Sequence, residues 1–219
     1  MEKRGFTFGT YDTAAKLWTL TGWTFPEPEY QQHFVEVPGG MPLDLSTALT
    51  DGEPTYGTRI LTVTLESSEG SRLEREDRIS EMVNALDGRR MEIVLPDRPG
   101  LYASGRVQVK KQYNNLAHAA VTVTAICDPW LYYRAEKIYT LTAATDKKVE
   151  VLTNRGRRRA VPQLVGGAGA SILLEFGFTS YALGAGTVVL PDLTLPQGET
   201  LLTYSGSGTV QIIFREAML

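Results

Sequence analysis

One segment of this 219-residue chain repeats its apolar residues with the period of a helix, and both of its ends are marked. Ser71 stands before it and Glu74 three residues on, the spacing of a capping box in which two otherwise unpaired backbone N–H groups find side-chain acceptors. Within 72–87, Leu73, Ile79, Met82, Val83 and Leu86 fall on one face. Arg72, Arg75, Glu76, Asp77, Arg78 and Glu81 fall mostly on the other, with Glu74 and Arg78 spaced as an i,i+4 ion pair. Gly88 follows, suited to the left-handed position that ends a helix. With only one helix available, the chain has to build the rest of its core from strands.

The remaining sequence supplies them. In Arg59–Glu66, Leu61, Val63 and Leu65 alternate with Thr62 and Thr64, the period of a strand with one apolar face. Gly5–Phe8 and Leu17–Phe25 are aromatic and Thr-rich, with a turn expected at Gly9–Asp12. Met91–Leu95, Leu101–Ala103, Val107–Val109 and Val121–Cys127 read as further strands, separated by turns at Pro96–Gly100 and Asn114–Asn115 and closed by Asp128–Pro129. From Ala135 onward no helix is expected. Seven short strands recur there: Ile138–Thr142, Lys148–Leu152, Ala160–Val165, Ser171–Phe178, Thr187–Leu195, Glu199–Tyr204 and Thr209–Arg215. Ser205–Gly208 is expected as the hairpin turn between the last two. Such spacing indicates a sandwich. Charge shifts at the same place, from 14 basic against 18 acidic residues before Ala135 to 8 against 7 after it. The expected organisation is therefore a β domain with one helix over 1–134 and a β-sandwich over 135–219.

Between Phe34–Val37 and Arg59 lies a connection too long for a hairpin, holding Pro38, Gly39, Gly40, Pro42, Gly52, Pro54 and Gly57. Long loops in compact domains are usually functional or docked on something. No catalytic residue type dominates this one, so it reads as a contact element.

Reaction chemistry finds little support. The two histidines, His33 and His118, have no metal-ligand spacing, and the single Cys127 cannot complete a zinc site. No G-x-S-x-G elbow is present. Asp128 beside Cys127 disfavours a thiolate. Gly166-Gly-Ala-Gly169 precedes a strand, not the helix a phosphate loop needs, and reads as a bend. Asp44, Asp51, Glu53, Asp97 and Asp128 sit in loops and turns, where acids serve the backbone. No catalytic residue, metal or cofactor is expected. A net charge of −3 gives no electrostatic case for nucleic acid as the main partner. One cysteine fits a reducing compartment, and the first residues lack the apolar core of a signal peptide. Arg155, Arg157, Arg158 and Arg159 form the one basic cluster, a solvated turn or a contact for an acidic partner. Trp130 and Tyr181, if exposed, suit stacking on sugars.

Several stretches resemble the distal tail proteins of long-tailed, non-contractile bacteriophages: VEVPGG at Val35–Gly40, LDLS at Leu43–Ser46, GEPTYGTR at Gly52–Arg59, DGRRMEIVLPD at Asp87–Asp97 and CDPWLYY at Cys127–Tyr133. Asn154-Arg-Gly156, Pro162 and Gly166 are similar to the family's second domain. Many relatives carry a charged Arg-Asp-Gly tip after the VPG, where this chain has Gly40-Met41-Pro42. The resemblance implies a split-barrel-like β domain with one helix and a peripheral sandwich of galectin-like or carbohydrate-module-like kind. It further implies six copies closing a non-enzymatic ring at the virion tail tip, made and assembled in the bacterial cytoplasm. Such a ring joins the tail tube to the baseplate hub and to receptor-binding parts or host polysaccharide, and DNA passes through it without specific binding. Pro38, Gly39, Gly40, Met41, Asp44, Tyr56 and Arg59 are the expected interface positions, with the arginine cluster as a further partner contact. The alternative is a carbohydrate-binding adhesion module.

Overall fold

A computed structural model describes residues 5–47, 53–177 and 179–219. Asp51, Gly52 and Phe178, named above, lie outside these residues. The chain is mainly β, with 56% strand and 7% helix. It divides into two compact units, Met1–Leu131 with Leu219, and Tyr132–Met218.

The first unit contains β1 (Thr7–Phe8), β2 (Tyr11–Asp12), β3 (Thr19–Thr24), β4 (Phe34–Val35), β5 (Leu43–Asp44), β6 (Arg59–Ser67), helix α1 (Arg72–Leu86), β7 (Arg90–Leu95), β8 (Arg98–Asn114) and most of β9 (Ala119–Tyr133). Seven of these strands form one sheet in the order β2-β1-β7-β8-β9-β6-β3. Strand β6 pairs antiparallel with β9 from Arg59↔Cys127 to Ser67↔Ala119. Leu61, Val63 and Leu65 meet Ala125, Val123 and Val121 across that ladder, all buried, as the alternation requires.

Three turn signals resolve differently from expectation. Gly9–Thr10 alone turns the chain, because Phe8↔Tyr11 and Thr7↔Asp12 already pair. Pro99 and Gly100 lie inside β8 at a bulge, where the register jumps from Leu95↔Arg98 to Val94↔Tyr102. Asp128 and Pro129 lie inside β9. Pairing with β6 ends at Cys127, so the missing proline N–H costs no hydrogen bond to that strand.

Helix α1 begins at the expected capping box. Glu74 N–H donates to Ser71 Oγ at 3.3 Å, and Ser71 N–H donates to Glu74 Oε2 at 2.6 Å. The Ser71 N–H, then its hydroxyl, with Arg78 and Arg75 nearby, hold the Glu74 carboxyl below its ordinary range. The helix ends at Asp87, with Gly88 at φ +72°. Its buried stripe is Arg75, Ile79, Met82 and Leu86. Leu73, expected on that stripe, is 71% exposed. Stepping back from Ile79 by one turn lands on residue 75, and residue 73 is two positions, about 200°, away from that stripe.

The second unit contains β10 (Lys137–Ala143), β11 (Lys148–Asn154), β12 (Gln163–Gly166), β13 (Ser171–Phe176), β14 (Thr179–Leu183), β15 (Gly186–Val189), β16 (Gly198–Phe214) and β17 (Ala217–Met218). The expected turn at Ser205–Gly208 does not exist. The two strands on either side are one 17-residue strand, β16. Its first half pairs with β11 on one side and β13 on the other, and β13 carries β14. Its second half pairs with β10 and β12, and β12 carries β15. Two four-stranded sheets therefore share β16, and their inner faces meet in one core of Leu152, Leu174, Leu202, Leu164, Val210 and Ile212. The crossing point is Gly206, at φ +122°, where a Cβ would stand 2.1 Å from Ser171 O. Only glycine fits that corner. The expected bend at Gly166–Gly169 is present between β12 and β13.

Candidate assembly surface

The long connection is an arm. Among the described residues strands β4 and β5 pair only with each other, Phe34↔Asp44 and Val35↔Leu43, and form a separate two-stranded sheet. Local chemistry fixes its shape. Gly40 N–H donates to Val37 O at 3.0 Å across the tip, and Leu45 N–H to His33 O at 2.8 Å. Ser46 receives His33 N–H on its Oγ at 2.8 Å and donates its own N–H to Asp44 Oδ1 at 2.9 Å. Ser46's hydroxyl, then its N–H, hold the Asp44 carboxyl below the usual range.

The base of the arm is tied down. Gln31 N–H donates to Thr55 O and Gly57 N–H to Glu29 O, both at 2.9 Å. Between these bonds the rings of Tyr30 and Tyr56 lie 6.0 Å apart, and Tyr56 meets the Trp130 ring edge-on at 5.6 Å. A cleft of about 640 Å³ opens here, lined by Glu29–His33, Leu45, Ser46, Thr55 and Gly57. The arm beyond it buries little. Phe34 and Leu43 are each 54% exposed and Met41 is 88% exposed. Exposed apolar side chains gathered on one hairpin are the kind of patch that marks interaction surfaces in general.

Among the expected interface positions, Pro38, Gly39, Gly40, Met41 and Asp44 share the exposed arm, and Tyr56 is half-buried at its base. Arg59 is different, being buried inside its own unit. Its Nε donates to Pro26 O at 2.7 Å, its Nη2 to Phe25 O at 3.3 Å, and the guanidinium lies 3.8 Å from the Phe25 ring centre. Nη1 is buried with no hydrogen-bond partner among the described residues. Arg59 thus anchors the point where the arm rejoins β6.

The arginine cluster is a rigid turn in the second unit. Buried Asn154 donates through Nδ2 to Arg158 O at 3.0 Å and to Leu195 O at 2.9 Å, and accepts Gly156 N–H on Oδ1 at 2.9 Å. Arg157 N–H donates to Ala217 O at 2.8 Å. Gly156 has no room for a side chain, since a Cβ would stand 2.6 Å from Ala217 N. Arg158 lies over the Tyr132 ring and donates to its hydroxyl. Arg155, Arg157 and Arg158 are exposed and Arg159 is half-buried.

The side chains screened for chemistry have structural surroundings. Burial, then Asp128, pushes the Cys127 thiol up to about 12, far from a reactive thiolate. Asp128 pairs with Arg90 at 2.6 Å. His118 meets the Tyr113 ring edge-on at 5.5 Å. Among the described residues no group of three His, Cys, Asp or Glu side chains is placed to hold a metal. No helix is long and apolar enough to cross a membrane among the described residues. Of the aromatics considered for sugar stacking, Trp130 is engaged by Tyr56, and Tyr181 packs against the core of the second unit.

Sequence reasoning missed Arg75 and Asn154. Arg75 read as solvent-facing, yet it is 2% exposed and holds the β8–β9 turn. It donates through Nη2 to Asn115 O at 2.9 Å and Leu116 O at 3.1 Å, and through Nη1 to Gly70 O. The one available signal was its place a full turn before Ile79. Asn154 carries a weaker signal, the Asn-x-Gly spacing of a side chain capping its own turn.

No family model matches the sequence, and no curated protein matches it. Among solved structures the chain is similar to the Dit (gp 19.1) protein of SPP1, described as a paradigm of the hub adsorption apparatus in phages that infect Gram-positive bacteria. The likeness has a TM-score of 0.67 at 18% identity, and covers 98% of this chain and 99% of that one. At that identity it is the fold that the two chains share.

Proposed function

We propose that this chain is a structural distal tail subunit of a long-tailed, non-contractile phage or prophage. Six copies close a ring at the tail tip between the tail tube and the baseplate hub. The observation that carries this reading is the likeness to a hub adsorption protein over nearly the full length of both chains. A fragmentary match would speak only for a common β module, whereas this one spans both units.

The arm accords with the reading. A hairpin that pairs with no other strand among the described residues and exposes Phe34, Met41 and Leu43 gains stability by docking on another copy. Pro38–Met41 and Asp44 are the contact positions, with Tyr56 and Arg59 fixing the arm's base. The ring holds the tail-tube protein on one side and the hub on the other, presents receptor-binding parts or meets host polysaccharide at its rim, and lets DNA pass. It has no turnover of its own.

Native mass spectrometry with negative-stain microscopy tests this. The expected result is a six-copy ring with a central hole, formed alone or on addition of tube and hub proteins. A monomer under all of these conditions overturns the reading.

A further inference from the structure

We infer that the open edge of β11 takes up an extended strand of a partner chain, one that carries a Lys or Arg between two apolar residues. The site lies within the second unit and does not depend on the ring reading. Among the described residues β11 pairs with β16 alone, so one of its edges is open. Thr153 shows which backbone groups face that edge. Its N–H donates to the Tyr139 hydroxyl at 3.0 Å, and its carbonyl accepts from Lys137 Nζ. Both bonds leave the ladder, so Thr153 turns its backbone away from β16. Alternate residues of an antiparallel strand do the same, which puts the N–H and C=O groups of Val149 and Val151 on the open edge. No other described residue bonds to them.

Edges of this kind are ordinarily blunted by a proline, a bulge or a free lysine. Strand β11 is a regular seven-residue strand without proline. The lysines at its start are engaged: Lys147 pairs with Glu175 at 2.8 Å, and Lys148 Nζ donates to Thr142 O at 3.2 Å. The side chains beside the open groups are apolar and bare. Val149 is 61% and Leu201 64% exposed, and Leu201 stands across the ladder from Val151, which is exposed as well. Unpaired backbone donors and acceptors next to an apolar strip fit one kind of occupant, another strand, whose main chain fills the edge and whose alternate side chains cover the strip. Glu150 selects the residue between those side chains. It has no ion pair or hydrogen-bonded side-chain partner among the described residues. An antiparallel strand centred there sets one residue directly opposite it, and a Lys or Arg is favoured. A second copy of β11 in that register would set Glu150 against Glu150, and like charges directly opposite are destabilising. Thr153, already capped, closes the site at its end, so the occupant is short.

Amide hydrogen exchange, followed residue by residue on the full chain by nuclear magnetic resonance, tests this. The probe is the peptide acetyl-Ser-Thr-Val-Lys-Val-Thr-Ser-amide. In the free chain the Val149 and Val151 amides should exchange quickly, while those of Glu150 and Leu152, bonded into the ladder, stay protected. Saturating peptide should slow Val149 and Val151 roughly tenfold or more. The same peptide with Glu in place of Lys should fail to do so, and Glu150→Lys should exchange the two preferences. Val149→Pro removes an outward donor and no ladder bond, so it should melt like wild type and lose the peptide. Protection of both valines in the dilute free chain would mean an edge already paired and overturns the inference. So does a peptide that leaves both valines unchanged, or a glutamate peptide that protects them equally. Protection that grows with protein concentration in the absence of peptide makes a second copy the occupant and overturns the one inferred.

Discussion

Arg75 shows how a single charged residue serves as core. Its guanidinium is buried and spends its donors on three backbone carbonyls from two segments, Gly70 before the helix and Asn115–Leu116 in the β8–β9 turn. Removing it leaves those carbonyls short of a donor in a closed space. Arg75→Ala should therefore cost about 2–4 kcal/mol in urea unfolding, and Arg75→Lys most of that, since an ammonium cannot span the same fork. A loss under about 0.5 kcal/mol would mean that water replaces it. Nothing local in the sequence announced this, because an arginine among Arg72, Glu76 and Arg78 reads as part of a polar face. The capping box at Ser71 was legible because its partners lie within one turn.

Two further groups set a pH dependence. The Cys127 thiol is raised from 9.0 to about 12 by burial and Asp128. The Tyr11 phenol is raised from 10.0 to about 12, chiefly by burial. Both stay protonated in the folded chain over a range where the unfolded chain releases protons. Their contribution is complete below about pH 9 and is lost as pH climbs from 9 toward 12. Chemical denaturation between pH 8 and 10.5 should show stability falling, and Cys127→Ala should flatten the first part of that fall. In the native state the thiol should stay silent to an aromatic disulfide reagent at pH 8 and react on unfolding. A native thiol that reacts at once contradicts the buried placement.

At the scale of elements, strands with one buried face were readable, whereas turns such as that expected at Ser205–Gly208 were not. Strand β6 announces itself through Leu61, Val63 and Leu65, since alternation is a local property. The segment Ser205–Gly208 has the composition of a hairpin turn, and the same composition serves a strand that bends from one sheet into another. Only its partners, β11 and β13 before the bend and β10 and β12 after it, distinguish the two. Strand β14 was missed because Thr179–Leu183 is short and half-polar, and its pairing with β13 is what makes it a strand. Gly206→Ala should unfold the sandwich or cost more than about 3 kcal/mol, against about 1 kcal/mol for glycine exchange at an unstrained site. The arginine turn yields a gentler test. Gly156→Ala forces a methyl against the Ala217 backbone, so the turn should open and trypsin should cut within Arg155–Arg159 several-fold faster than in wild type. Equal cutting rates would mean that the turn is loose already.

At the scale of the molecule, the arm is stability left unspent. Replacing residues 34–44 by a short Gly-Ser link should leave the melting temperature of the chain within about 2 °C, because these residues are all exposed. The same change should abolish association, seen as a monomer by sedimentation. A collapse in melting temperature would instead make the arm part of the core. The resemblance to phage distal tail proteins was legible in the short stretches VEVPGG, GEPTYGTR and CDPWLYY.

Strand β16 belongs to both layers of the second unit at once, and this has a consequence for how that lobe fails. Neither layer can peel away while the other stands, since each is laced to the same backbone spine. Such wiring makes this lobe an all-or-none unit, with no half-melted form for a protease to trim.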